Sequence, residues 1–223
     1  MTPRGFATGH GVIELLFIRH GETDWNRQQR FQGQIDVPLN ATGEEQAARL
    51  AQRLAPESHD QLFSSDLQRA RQTAAPLAAA WQMPAVAVAG LREQSFGVLE
   101  GLDVPTIQQR HPELWRLWLQ QDADFAPPGG ESQRQFHQRV LTAVNDLAAG
   151  AATAAATAAQ GRRVVVVTHG GVLDMLWRTV HGLPLHGLRE CAIPNTGVNR
   201  LRWADGALQI EVWGDDAHLA PAD

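Results

Sequence analysis

The chain has a single cysteine, Cys191, in 223 residues. It can therefore form no intramolecular disulfide and no cysteine-rich zinc site, and the lone thiol is expected as a small buried or half-buried side chain. It also lacks any basic block. With 19 Lys and Arg against 24 Asp and Glu, the net charge is −5 and the pI is near 6.0. That argues against a nucleic-acid platform, because duplex binding needs clustered cations to neutralise phosphates. A few arginines can still converge on a small anion inside an acidic protein. Nowhere do 18 apolar residues follow one another, and the opening M-T-P-R-G-F-A-T-G-H-G has no apolar run of signal-peptide length. The expectation is a cytoplasmic protein without a membrane partner. What is present, 43% hydrophobic and 19% charged residues, describes a soluble globular chain of a length suited to one large α/β domain.

Short apolar runs alternate with helical patterns. Ile13 to Ile18 reads as a buried strand ending at Arg19-His20-Gly21. Thr42-Gly43-Glu44-Glu45 reads as an N-cap and acidic first turn for a helix over 43–54, with Ala47, Ala48, Leu50, Ala51 and Leu54 on one face. Residues 61–64 form a second strand, and Ser65 or Asp66 can cap the helix after it. An edge-like strand over 86–89 follows, then helical sequence over 104–121 broken at His111-Pro112, and a loop over 122–131 with Pro127-Pro128-Gly129-Gly130. Phe136, Val140, Leu141, Val144 and Leu147 mark an amphipathic helix over 132–149. The Ala/Thr tract over 148–159 can extend it, fraying at the end, or serve as a mobile linker. Val164 to Val167 is the clearest buried strand; it ends at Thr168-His169-Gly170-Gly171 before another helix. Residues 197–201 and 208–213 around Asp205-Gly206 read as a hairpin. Strands alternating with helices imply a mainly parallel sheet covered on both faces, with an antiparallel edge. Ligands in such sheets sit beyond the strand carboxyl ends.

Two histidines occupy that position. His20 and His169 each follow an apolar strand and precede a glycine, Arg19 stands beside the first, and Arg69 near the start of a helix can reach the same edge. Arg71 lies about 200° further round its helix and reads as an exposed residue. Two arginines and two histidines make a pocket for a phosphate dianion, since the guanidinium fork donates paired hydrogen bonds and stays charged. A neutral imidazole nitrogen is also a nucleophile. The combination points to phosphoryl transfer through a phosphohistidine, which requires no metal or other cofactor.

Five motifs in order carry a resemblance: R-H-G-E-T-D-W-N (19–26), F-Q-G (31–33), S-S-D-L-Q-R-A-R-Q-T-A (64–74), L-R-E-x-x-F-G-x-x-E-G (91–101) and T-H-G-G (168–171). The sequence resembles the histidine phosphatase superfamily, in the branch that holds cofactor-dependent phosphoglycerate mutases and small-molecule phosphatases. The resemblance implies a three-layer α/β/α sandwich around a mainly parallel sheet, and one histidine phosphatase domain over 1–223. Residues 1–12 would be a flexible N-terminal extension and 214–223 a C-terminal tail. It implies that His20 is the phosphorylated nucleophile, that Arg19, Arg69 and His169 hold the phosphoryl oxygens, and that Glu93 is the proton donor. Glu93 would deliver a proton to the leaving alkoxide and then act as base for the attacking water. Thr23, Asn26, Gln32, Gly33 and Gly170 match positions that line the phosphate and substrate pocket, while Trp25 reads as a packing residue.

The acceptor of the phosphoryl group separates the two activities of that branch. Mutases typically have H-G-N at the second histidine, L-N-E-R-x-Y-G at the acid motif, and a basic pair further on. This chain has His169-Gly170-Gly171 and Leu91-Arg92-Glu93-Gln94-Ser95-Phe96-Gly97, and Arg110 and Arg116 stand apart. Trp115 and Trp118, one helical turn apart, could form an apolar cap or pack on the core. The reading is a metal-independent phosphatase of a small-molecule phosphomonoester. The alternatives are a 2,3-bisphosphoglycerate-dependent phosphoglycerate mutase and a protein-directed or phospho-binding regulatory member. Within phosphatases, F-G-x-x-E-G resembles both broad-specificity enzymes and α-ribazole phosphatases. The remaining histidines, His10, His59, His111, His137, His181, His186 and His218, show no ligand spacing. The edge strand near 86–89 could pair two copies into a homodimer.

Overall fold

A computed structural model describes residues 12–155 and 162–220. The extension expected over 1–12, His10 included, lies outside the described residues apart from Val12, as do residues 156–161, which include 156–159 of the Ala/Thr tract, and residues 221–223 of the expected tail. The strands are β1 (Ile13–Arg19), β2 (Gln61–Ser64), β3 (Ala85–Ala87), β4 (Arg163–Thr168), β5 (Val198–Ala204) and β6 (Ala207–Asp215). The helices are α1 (Asp24–Arg27), α2 (Ala41–Leu54), α3 (Gln68–Trp81), α4 (Val104–Arg110), α5 (Pro112–Leu119), α6 (Gln133–Ala155) and α7 (Gly170–His181). Among the described residues no helix is long and apolar enough to cross a membrane.

One six-stranded sheet runs in the order β3-β2-β4-β1-β5-β6. The first four strands are mutually parallel, and β5 and β6 close one side antiparallel, as the alternation of elements predicted. Both faces of the central strands are covered. Leu16, Ile18, Val165 and Val167 pack against Leu50 and Leu54 of α2 and Ala70, Ala74 and Leu77 of α3. On the other face, Ile13, Leu15, Phe17, Val164 and Val166 meet Phe136, Val140 and Val144 of α6 and Val172, Leu173 and Leu176 of α7. Each large side chain so buried stabilises the fold by about 1.5–3 kcal/mol relative to exposure. That is why β1 and β4 read as continuous apolar runs rather than alternating ones. β3 is the open edge, with Val86 50% exposed.

Three sequence expectations are corrected. The cap of α2 is Asn40, not Thr42: Asn40 Oδ1 accepts from the Gly43 N–H at 2.8 Å, so the helix begins at Ala41. Neither Ser65 nor Asp66 caps α3. Leu67 precedes it without a side-chain cap, and the free Gln68 N–H donates instead to Asp36 Oδ1 at 2.5 Å. Residues 214–220 are not a tail. β6 runs through Asp215, which pairs with Arg53, and a 3-10 turn at Ala217–Leu219 brings His218 against Thr196. The helix end is answered as well: α6 continues into the Ala/Thr tract as far as Ala155.

Candidate active site

Register places the chemistry. Arg19 of β1 pairs with Thr168 of β4, and Ser64 of β2 pairs with Val167. The residues that follow, His20, Ser65 and His169, therefore leave the sheet side by side at its carboxyl edge. The two imidazole rings stand 5.2 Å apart between centroids. Beyond them lies a cavity of about 290 Å³ whose walls include Arg19, His20, Asn26, Gln32, Gly33, Arg69 and Glu93. The structure thus brings seven of the ten sequence-predicted site residues to one cavity wall, with His169 against His20 and Gly170 at the start of α7. The tenth, Thr23, is fully buried beneath the wall.

His20 is held in one orientation. Its Nδ1 donates to the carbonyl of Gly21 at 2.7 Å, which fixes the proton there and leaves Nε2 with its lone pair. Burial, helped by the charges of Arg69 and Arg19, lowers its pKa well below the usual imidazole value. Asn195 Nδ2 donates to the His20 carbonyl at 2.9 Å and anchors the backbone behind it. His169 is fully buried, and burial with Arg69 lowers its pKa in the same way. Its Nε2 lies 2.8 Å from Ser65 Oγ, which itself accepts from the Leu67 N–H. The Ser65 hydroxyl proton is free to be donated to His169 Nε2, an arrangement that puts the ring proton on Nδ1, a buried atom without a hydrogen-bond partner.

Both arginines are tied to backbone and keep a buried Nε free. Arg69 donates from its two terminal nitrogens to the carbonyls of Ile35 at 3.0 Å and Gly33 at 2.7 Å, and Arg19 donates to Ile193 at 2.7 Å. The Nε of each is buried with no partner. Burial lowers both pKa values, that of Arg19 to about 10. Orphan donors on buried cations are costly unless an anion meets them. Three such donors, Arg19 Nε, Arg69 Nε and His169 Nδ1, occur around one histidine.

Thr23 works beneath this surface rather than at it. It caps α1 in a reciprocal box with Asn26, and its hydroxyl lies 3.1 Å from both Asn26 Oδ1 and Gln32 Oε1. With their oxygens turned to Thr23, the amide nitrogens of Asn26 and Gln32 are left to donate into the cavity. Gly33 is required where it stands. Its φ is +53°, and a Cβ there would lie 2.1 Å from Glu100 Oε1, which accepts from the N–H groups of Gln34 and Phe96.

Glu93 is positioned by helix α7. Its Oε2 accepts from the Gly171 N–H at 3.0 Å and its Oε1 from the Gln94 N–H at 2.9 Å. Arg139, from α6, donates to the carbonyls of Gly90, Arg92 and Glu93 at 3.0 Å and pairs with Glu131, so the segment carrying Glu93 is pinned from behind. Arg92 is taken up by Asp66 at 2.6 and 2.7 Å. Arg71 is exposed and plays no part here.

Sequence reasoning missed several members. Ser65 was read as a cap, although its place directly after β2, level with His20 and His169, was a usable signal. Trp25, read as packing, lines the cavity with Phe31 and Phe96. Trp118 packs edge-on against both phenylalanines at 5.6 and 5.7 Å, so one of the two tryptophans does sit behind the rim. Arg139 carried no local sign at all.

Comparison with known proteins identifies the family and the fold. The family described as "Histidine phosphatase superfamily (branch 1)" matches residues 15–216. A phosphoglycerate mutase-like protein 4 of Arabidopsis thaliana is 36% identical over 210 residues, covering 92% of this chain and 86% of its own. A probable phosphoglycerate mutase GpmB of Salmonella choleraesuis is 34% identical over 218 residues, covering 95% and 97%. The native structure of a mycobacterial glucosyl-3-phosphoglycerate phosphatase aligns with a TM-score of 0.78 at 30% identity, covering 91% of this chain and 99% of that one. The fold is that of these proteins, and the chain belongs to the histidine phosphatase superfamily, branch 1.

Proposed function

We propose that this protein is a phosphatase that hydrolyses small-molecule phosphomonoesters through a phosphohistidine at His20. The observation that carries the reading is the state of His20: a neutral imidazole with its proton held on Nδ1, and Nε2 turned to a cavity ringed by unpartnered cationic donors. In the first step the Nε2 lone pair forms a bond to phosphorus as the ester P–O bond breaks, and Glu93 gives its proton to the leaving alkoxide. In the second, Glu93 takes a proton from water, the water oxygen bonds to phosphorus, the P–N bond breaks, and inorganic phosphate leaves. Arg19, Arg69 and His169 hold the equatorial oxygens. A loose transition state of this kind is stabilised mainly by positioned positive charge.

Two features favour hydrolysis over mutase activity. Arg92, in the acid motif, is neutralised by Asp66, and the cavity rim carries Trp25, Phe31 and Phe96. The mycobacterial phosphatase in the same superfamily supports the assignment, while the relatives named as mutases keep transfer to a second phosphoglycerate as the competing reading. The test is phosphate release in EDTA from a panel of esters, including 3-phosphoglycerate, phosphoserine, sugar phosphates and α-ribazole phosphate, by wild type and His20→Ala. Release that survives EDTA and vanishes in the variant is expected. Transfer to phosphoglycerate primed with 2,3-bisphosphoglycerate, without release, would overturn it.

A further inference from the structure

Helix α5 leaves its apolar face short of a partner. Five of its eight residues are leucine or tryptophan, yet none of the eight is buried. Leu119 at its end is 59% exposed, and Leu188, which borders the same cavity, is 83% exposed. Trp115 and Trp118, one turn apart, line that cavity with Leu119, Phe125, Asp122 and Gln133, and its volume is about 290 Å³. Trp118 is the partition. Its ring meets Phe31 and Phe96, which line the catalytic cavity, but no residue lines both cavities. The two tryptophans that the sequence singles out thus border a second, separate space.

The walls of this space are tied to backbone. The Arg134 N–H of α6 donates to the Ala123 carbonyl at 3.0 Å and the Phe125 N–H to the Asp122 carbonyl at 3.1 Å, which sets the loop between α5 and α6. Gly187 and Leu188, from the segment after α7, complete the lining. Their carbonyls accept from the buried Arg178 at 3.1 and 2.8 Å. A cavity so framed exists before a ligand arrives, so binding there costs little ordering. Two acceptors in the lining are unanswered. Asp122 is its one charged residue among those described, and Arg134 pairs with Asp124 rather than with it. Asp122 Oδ1 accepts from the Asp124 N–H at 2.9 Å, which leaves Oδ2 for another donor. Gln133 Oε1 is buried without a hydrogen-bond partner, so its carboxamide can turn toward a donor and give up no bond at that oxygen. A carboxylate beside indole and phenyl rings favours a positive charge. The catalytic cavity is the reverse, lined by Arg19, Arg30 and Arg69, and repels the same ligand.

We propose that the cavity between α5, the 121–125 loop and Leu188 is a second ligand site that takes a small organic cation, an ammonium group on an aromatic or aliphatic body, independently of the phosphoryl group at His20. The ammonium donates to Asp122 and Gln133, and the body lies among Trp115, Trp118 and Phe125. The site does not depend on the reaction at His20 and stands if the phosphatase reading fails.

The probes are benzylamine, charged at neutral pH, and benzyl alcohol, its neutral counterpart. Binding is followed by NMR at the tryptophan indole N–H groups, with and without saturating inorganic phosphate, and Trp25→Phe, Trp115→Phe and Trp118→Phe identify three of the signals. Benzylamine should shift the Trp115 and Trp118 signals with the same midpoint in both conditions. Asp122→Asn should weaken it about fivefold, as loss of a solvent-screened ion pair does, and leave benzyl alcohol within about twofold. Gln133→Met should weaken both probes about threefold through the lost hydrogen bond. The midpoint of thermal unfolding should match wild type in Asp122→Asn, which shows that this variant is folded. Benzyl alcohol binding as tightly as benzylamine would overturn the proposal. So would release of benzylamine by phosphate, or shifts centred on the Trp25 signal, since either places the amine in the catalytic cavity. No saturable shift with either probe would overturn it outright.

Discussion

Gly171→Ala separates the placement of the proton donor from the rest of the site. A Cβ at this position would lie 2.1 Å from Glu93 Oε1 and 3.2 Å from a ring carbon of Phe136. The backbone there is helical, so alanine is conformationally acceptable, and it gains about 0.8–1 kcal/mol of helix propensity over glycine. Phe136 is buried and gives little, so the carboxylate is what moves. Restoring an ordinary contact of 3.4 Å requires Glu93 Oε1 to retreat by about 1.3 Å, and a displacement of that size costs on the order of 100-fold in rate when it affects a reacting group. For an alkyl phosphate, whose leaving group needs the proton, kcat should fall about 100-fold. For p-nitrophenyl phosphate the first step needs no proton donor, yet the second still needs Glu93 as base. The variant should therefore release one equivalent of p-nitrophenol per site in a burst and then turn over slowly, accumulating acid-labile phosphohistidine. Stopped-flow absorbance and rapid quench read both quantities, and thermal unfolding should shift little. An alkyl ester hydrolysed at the wild-type rate would refute the role given to Glu93, and so would slow turnover of p-nitrophenyl phosphate with no burst.

Protonation of the buried histidines should govern stability in acid. His20 and His169 have folded pKa values well below 6.5, so the unfolded chain binds more protons beneath that pH. Their stabilisation is complete above about pH 6.5 and is lost as pH falls from there toward the folded values, at up to about 1.4 kcal/mol per pH unit for each. His59, His137 and His218 are lowered too, so the test is a difference: His169→Gln should flatten the pH dependence of urea unfolding by about 1.4 kcal/mol per unit, and an unchanged slope would contradict the buried neutral state. Ser65→Ala removes the partner that places the proton of His169 on Nδ1; the inhibition constant for inorganic phosphate should rise roughly fivefold, about 1 kcal/mol, and identical inhibition would show that Ser65 does not set the tautomer. Gly33→Ala forces a side chain into φ +53° against Glu100; it should cost about 1–3 kcal/mol in denaturant unfolding and raise KM through the Arg69 contact, and a variant as stable as wild type would show that the 32–34 loop is free to relax.

The fold was legible because its central strands are buried on both faces and its helices on one. Val164 to Val167 and Ile13 to Ile18 can only be interior, and Leu50, Leu54 and Leu77 recur at the spacing that α2 and α3 need to cover them. The misreadings lie where two local partners compete. Thr42 and Asn40 both suit an N-cap, and the choice falls to Asn40 because Gly43 packs its Cα against the Glu22 backbone, which fixes the start of the helix. Ser65 and Asp66 suit a cap equally well, but distant partners, His169 and Arg92, claim them.

The site divides along the same line. His20, His169, Arg19 and Arg69 could be grouped because strand ends in a parallel sheet lie together whatever the loops do. Arg139 could not, since it acts from an element far along the chain and neither spacing nor neighbours mark it. The two kinds of arginine in the site differ in the feature that matters for chemistry. Arg139 has its guanidinium answered by three carbonyls and Glu131, and so serves the backbone. Arg19 and Arg69 each keep one buried Nε unanswered, and His169 keeps Nδ1. Among the described residues, buried Arg162 Nε and the His59 ring nitrogens also lack hydrogen-bond partners, but they precede β4 and β2; the three around His20 are the ones at the carboxyl edge of the sheet, and the fold is short of an anion there. The deficit, more than the identity of any single residue, marks where the phosphoryl group is bound.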